Sequence, residues 1–309
     1  MRIQEVGQTP EARALVRQVN LLLVILLVTF NARAQEHGPA KEFCDTNSCS
    51  LPADNEVHFD PYSNGHLCEN YDPKQNDFSK EYLTLRTRHT TQNIVNTLSA
   101  FDLSPVWLSV DVHQNGVIGL DYKRIRIFIS KAVKDRSDNL LYRVEGKSNV
   151  GGNVCDFKGY IRVMRTYNLS NEGNQEGQPV SNLFAEYKFD EDIKQKNSGS
   201  FRGTMECFYT LDKETMTASL DEGMFDSDGY FNRSYVGTWT SYNTKMTKKC
   251  IWGDYRLPFT FDFDCGDGEM RVCQKYMNNG WVTYNNGEEY LIVGDKAELK
   301  DKWWLRRTN

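Results

Sequence analysis

Ile125, Ile127 and Ile129 alternate with Arg124, Arg126 and Phe128, and this period of two recurs along most of the chain, punctuated by turn residues. Successive side chains of a strand face opposite ways, so such a run buries one face and wets the other. Further segments of the same kind cover 140–150 and 154–167 about Gly151-Gly152, then 183–189, 200–211, 217–225, 230–242 and 250–257. They are separated by turns such as Asp212-Lys213 and Asp228-Gly229. Asn115-Gly116 and Asn286-Gly287 tolerate the positive backbone angles of a two-residue turn, which predicts hairpins over 107–122 and 281–293. About ten strands with almost no intervening helix predict a mostly β fold, an antiparallel β-barrel or β-sandwich. One short helix is expected over 91–101, where Ile94, Val95, Leu98 and Phe101 fall at helical spacing after Thr90 and Thr91. The segment 297–307 fits either a strand or a short helix, with Trp303 and Trp304 placed to cap an open end of the core.

Ahead of this pattern the chain reads differently. Arg13 and Arg17 precede an apolar run over 21–30, and Ala32 and Ala34 supply small residues at the −3 and −1 positions before Gln35. This predicts a signal peptide over 1–34 and an exported protein, periplasmic, cell-surface or secreted. The competing reading, a membrane anchor, needs about 20 apolar residues, roughly twice the run present. Residues 35–90 are poor in periodic apolar positions and rich in Asp, Asn, Pro and Gly, which describes an irregular arm, leaving 91–309 as one antiparallel β domain. With a formal charge of −5 on 309 residues and the basic residues scattered among carboxylates, no footprint for nucleic acid is present.

Export gives the cysteines a meaning. Cys44, Cys49, Cys68, Cys155, Cys207, Cys250, Cys265 and Cys273 all follow the expected cleavage point, and an even count in an exported chain favours disulfides over zinc, for which there is no Cys-x-x-Cys. A bridge between Cys44 and either Cys49 or Cys68, a Cys155–Cys207 bridge across a sheet, and one pair among Cys250, Cys265 and Cys273 are the expected arrangements.

The densest collection of Trp, Tyr, Cys and carboxylate runs over 230–273. Within it, Asp262, Asp264, Asp267 and Glu269 alternate with glycines, a spacing that suits a loop site for calcium. Asp226 to Gly229 is a weaker case of the same kind. Trp239, Trp252, Asp254, Tyr255, Arg256 and Trp281 could offer aromatic faces and a charged fork to a glycan or protein ligand. Strand parity divides them, with Trp239 and Ser241 on one face and Thr238, Thr240 and Tyr242 on the other, so part of the set must serve the core. For catalysis there is no Gly-x-Ser-x-Gly, His-Glu-x-x-His or P-loop. The histidines at 37, 58, 66, 89 and 113 all precede the β-rich half. A carboxylate pair for glycoside cleavage drawn from Glu206, Glu222, Asp254 and Glu269 is the remaining enzymatic reading.

Gly237-Thr238-Trp239 resembles the Gly-x-Trp signature of lipocalins, which implies a barrel closed at one end by the tryptophan, although in lipocalins it stands on the first strand. The run from Ser227-Asp228-Gly229-Tyr230 through Val236-Gly237-Thr238-Trp239 to Cys250-Ile251-Trp252-Gly253-Asp254-Tyr255-Arg256 is similar to uncharacterised exported β-rich proteins of the Bacteroidetes. That resemblance implies a cell-envelope or extracellular setting and no site residues. The function expected from the sequence is non-catalytic binding outside the cytoplasm, with a carbohydrate-active hydrolase and an immunity-type or structural protein as the alternatives.

Overall fold

A computed structural model describes residues 93–109, 114–168, 179–221, 231–293 and 296–308. The expected signal peptide and arm, the histidines, Cys44, Cys49, Cys68, Glu222 and the 226–229 turn lie outside the described residues.

Strands β1 (Gln114–Ile118), β2 (Lys123–Lys134), β3 (Leu141–Val150), β4 (Asn153–Asn168), β5 (Ser181–Glu191), β6 (Gly199–Asp212), β8 (Phe231–Ser241) and β9 (Thr247–Tyr255) form one antiparallel sheet that closes on itself. Each strand pairs with the next, β6 skips the short β7 (Thr217–Leu220) to reach β8, and β9 returns to β1 in the register Gly116↔Trp252. The result is an eight-strand antiparallel closed β-barrel, the first of the two architectures that the alternation allowed. Closure leaves β7 alone at an edge of this sheet and removes the unpaired rows that an open sheet would expose.

The inward residues fill the barrel. Ile125, Ile127 and Ile129 of β2 point inside with Phe157, Tyr187, Phe189, Phe201, Tyr235 and Trp252, all buried. Trp252 stacks on Tyr235 at a centroid distance of 4.7 Å and takes the edges of Tyr187 at 5.1 Å and Phe201 at 5.8 Å. Gly203 and Gly237 face each other across β6 and β8, and a Cβ on either would stand 2.7–2.8 Å from the Tyr187 hydroxyl. The two glycines therefore make the space that the tyrosine occupies. This is a packed core, as in small barrels whose interior just holds its own side chains.

The remaining elements cover the barrel. At one end a 3₁₀ turn (Val95–Ala100) and a single helical turn (Ser104–Trp107) insert Leu98, Leu103, Val106 and Trp107, wholly buried, into the mouth. The expected helix is thus a 3₁₀ turn that starts later, and its apolar stripe is core. On the outside, residues 256–290 pack a second core of Leu257, Phe259, Phe263 and Trp281 against Val117, Val236 and Ile251. A two-stranded ribbon, β10 (Tyr290–Val293) with β11 (Lys296–Leu299), completes this C-terminal lobe.

Several expectations are corrected. Asn115-Gly116 is not a turn but the middle of β1: a Cβ at 116 would lie 2.7 Å from the Ile125 carbonyl oxygen and 2.9 Å from Trp252 Cβ, so this glycine serves close strand packing. The turn falls at Gly119–Tyr122, both at positive φ, and Trp107 belongs to the plug. Val282–Asn285 is helical, because Trp281 before it is inserted into the outer core with its Nε1 donating to the Tyr122 carbonyl, and the hairpin moves on to β10 and β11. Trp303 and Trp304 do not cap the barrel's end: Trp304 stacks on Phe128 at 4.5 Å and Trp303 lies under Arg126, both on the outer face of β2. A bulge between Val163 and Arg165 breaks the parity of β4, turning Thr166 inward and leaving Arg165 exposed. Cys155 and Cys207 are not bridged. They stand opposite Ser148 and Leu183 respectively and are buried free thiols, as is Cys250, whereas Cys265 and Cys273 form a disulfide in the C-terminal lobe.

Lys249 is a consequence of the double-sided wall. It projects outward from β9, yet the lobe covers it to 3% exposure, with its Nζ donating to the Phe259 carbonyl and lying 5.6 Å from the Tyr122 ring. Burial pulls its ammonium down to about 7. Because the folded state then binds fewer protons than the unfolded one between pH about 7 and the ordinary lysine range, stability should rise with pH across that window. Urea unfolding in steps from pH 6.5 to 9.5 is expected to show the rise, and Lys249→Met to flatten it; an equal slope in the variant would place its origin elsewhere.

Candidate functional site

The residues singled out in the sequence are mostly structural. Trp252 and Trp281 are buried to 1% and 0% exposure, the first in the barrel and the second beneath the lobe. Trp239 packs against the barrel core, and its Nε1 donates to Glu191 Oε2 at 3.0 Å. Glu191 also accepts from Ser148 Oγ and from the Gly199 amide, and burial raises its carboxyl above the usual range. Asp254 is gripped by Arg233, whose Nε and Nη2 donate to its two oxygens at 2.7 and 3.0 Å. Tyr255, half-buried, ends β9 at φ 61° and accepts from Asn115 Nδ2.

The acidic loop is organised around Arg256 and not around a cation site. Arg256 Nη1 donates to Asp264 Oδ2 at 2.8 Å, and its Nη2 reaches the carbonyls of Gly266 and Gly268 at 3.0 and 2.6 Å. Asp264 Oδ1 accepts the amides of Gly266 and Arg271, and Asp262 faces Lys275 and the Tyr276 hydroxyl. Asp267 and Glu269 point to solvent. Among the described residues, no three of His, Cys, Asp and Glu are grouped so as to hold a metal ion. The calcium reading is therefore replaced by a loop tied by its own arginine and by the Cys265–Cys273 bridge. Of the glycosidase candidates, Glu206 is wholly buried and accepts from Asn182, and neither it, Asp254 nor Glu269 lines either of the two clefts along β2.

Space for a ligand exists elsewhere, between the outer face of β2 and the C-terminal lobe. Two adjoining clefts of about 630 and 410 Å³ share Arg124, Arg126, Glu289 and Leu299 as a common wall. Their geometry follows from the strand: the isoleucines turn inward, so Arg124, Arg126 and Phe128 must turn outward. Arg124 lies 4.8 Å from the Trp281 ring and 5.6 Å from that of Tyr284, and its two terminal nitrogens engage the carboxylate of Glu289, one at 2.7 Å. Burial raises the Glu289 carboxyl, but Arg124's bonds and charge more than offset this and hold it below the usual range. Arg126, the outward neighbour, is less satisfied. Its one ion pair, to Asp301, spans 3.4 Å, and burial together with the like charge of Arg124 lowers its guanidinium.

The larger cleft adds amides from Asn149, Asn278 and Asn279, and Asn149 Nδ2 is buried with no hydrogen-bond partner among the described residues. The smaller adds Trp304, half-buried, and the buried Trp303 behind it. Such walls offer planar forks, amides and indole rings, and of their carboxylates Glu289, Asp301 and Glu298 are held in ion pairs. No known family model, curated protein or solved structure matches the chain. The outward Arg-x-Arg-x-Phe face of β2 was the sequence signal for these clefts, but their other wall comes from segments some 160 residues later, and a single sequence does not pair the two.

Proposed function

We propose that this chain is a non-catalytic glycan-binding protein that acts outside the cytoplasm and holds its ligand in the clefts along β2, not inside the barrel. The observation that carries this is the contrast between the two volumes: aromatic rings fill the barrel interior, whereas the outer clefts are open and lined by amides, arginines and tryptophan. Sugars are bound by such groups, planar polar side chains for hydroxyls and aromatic faces for the C–H surface. The pairing of Glu289 with Arg124 supports binding over hydrolysis, since a general acid needs a raised pKa and this carboxyl is lowered. The Cys265–Cys273 bridge and the apolar run over 21–30 support an exported setting. Among the described residues, no helix is long and apolar enough to cross a membrane.

A glycan array followed by calorimetry on the best ligand tests the proposal. Arg126→Ala and Trp304→Ala should each weaken binding by roughly tenfold or more with little change in melting temperature, the usual cost of losing one well-placed polar or aromatic contact. An array without a hit, or a hit indifferent to both substitutions, removes the cleft. Release of reducing sugar that stops on Glu289→Gln or Asp301→Asn would favour the hydrolase instead.

A further inference from the structure

In this barrel β1, β3, β5 and β8 run in one direction, so the turns that follow them all gather at the end opposite the helical plug. Because the barrel is closed those turns stand in a ring, and three of them are joined by hydrogen bonds. The β5–β6 turn meets the β8–β9 turn where the Tyr242 amide donates to the Ser198 carbonyl, and meets the β3–β4 turn where Asn153 Nδ2 donates to the Lys196 carbonyl. Three of the four turns each present a large apolar side chain to water: Leu120 at 67% exposure, Ile193 at 72% and Met246 at 52%. Each is flanked by exposed lysines, Lys123 beside the first, Lys194 and Lys196 beside the second, Lys245 and Lys248 beside the third. None of these five lysines takes part in an ion pair with a described residue. Against them these turns expose only Asp121 and Asp192, on a chain whose net charge is −5.

From this we infer that the ring of turns is a docking face for a lipid surface bearing anionic headgroups, with Leu120, Ile193 and Met246 entering the interface and the lysines lying among the headgroups. An exposed large apolar residue on one turn is ordinary; three on neighbouring turns of one barrel end, each with lysines beside it, form a repeated unit. The tips stand on separate turns around the rim, and neither cleft is lined by Leu120, Ile193 or Met246, which suits contact with a plane. Apolar side chains that enter the headgroup boundary and cations that meet its negative potential reinforce each other.

Co-sedimentation of the full chain with vesicles of phosphatidylglycerol and phosphatidylcholine, against phosphatidylcholine alone, tests the inference. Binding should require the anionic lipid and fall in molar salt, where the screening length shrinks to about 3 Å. Ile193→Ser with Met246→Ser should weaken partitioning roughly tenfold, and Lys194→Ala with Lys245→Ala about 25-fold, taking about fivefold per lysine. Every protein compared carries the same N-terminal apolar run, so the differences between variants read the tips alone. Equal partitioning of wild type and both double variants overturns the inference, as does the absence of any preference for anionic vesicles. Retention on immobilised polyglutamate that survives Ile193→Ser with Met246→Ser, without vesicle binding, would assign the face to an acidic protein and overturn it too.

Discussion

Asp254→Ala is expected to destabilise the protein by about 3–5 kcal/mol, the usual cost of stranding one member of a buried ion pair. Arg233, 5% exposed, sits at a bulge of β8 with φ 44°, and besides holding both oxygens of Asp254 it donates from Nη1 to the Leu108 carbonyl at 2.5 Å, just past the helical plug. Removing the carboxylate leaves a guanidinium that is almost wholly buried, at the inner margin of the smaller cleft, and cannot give up its proton. Urea unfolding measures the loss. The pair also offers its own control: Arg233→Met with Asp254→Leu should recover most of the lost stability, because a well-packed apolar pair avoids the desolvation cost altogether. A loss below about 1 kcal/mol in Asp254→Ala would mean that water reaches the guanidinium after all. Asp254 stands among the ligand-binding candidates of the sequence but lines neither cleft, so affinity per folded molecule should be unchanged for a ligand seated in the larger cleft, which Arg233 does not line.

Trp252→Ala should cost a similar amount, about 3–5 kcal/mol, as for other large aromatic truncations in a packed interior. The indole stacks on Tyr235, meets Tyr187 and Phe201 edge-on and lies 6.2 Å from Phe189, and strand pairs on either side fix all of these rings. Neighbours so held cannot collapse into the gap. Thermal unfolding should show a large fall for Trp252→Ala and a small one for Trp304→Ala, which removes a ring of similar size from the outer wall. If the two variants melted alike, the barrel interior would not be the principal core.

The sequence and the structure agree where the physics is local. Alternation of Ile125, Ile127 and Ile129 with outward residues located β2, and Gly151-Gly152 located the β3–β4 turn, because a strand's two faces and a turn's backbone angles are written in adjacent residues. Gly116 shows the limit. Asn-Gly carries the same local signal whether the glycine supplies a positive φ or merely lacks a Cβ, and only the approach of Ile125 and Trp252 distinguishes the two. The acidic loop failed for a related reason, since four carboxylates read as a cation site until Arg256 and Lys275 are seen to have taken two of them. Parity did separate Trp239 from Thr238 and Thr240, and so marked part of the aromatic cluster as core. The clefts were out of reach, because β2 supplies one wall and the last twenty residues much of the other.

The pairing of β1 with β9 also bears on how the chain is made. Asn115 Nδ2 reaches the Tyr255 carbonyl across 140 residues of sequence, and the seam between these strands is the last that can form as the protein emerges from the ribosome. Until then the nascent sheet carries two open margins, one of them exposing Val117, and pairings so distant in sequence are slow to form. The barrel therefore stays open until β9, the last of its eight strands, has been synthesised.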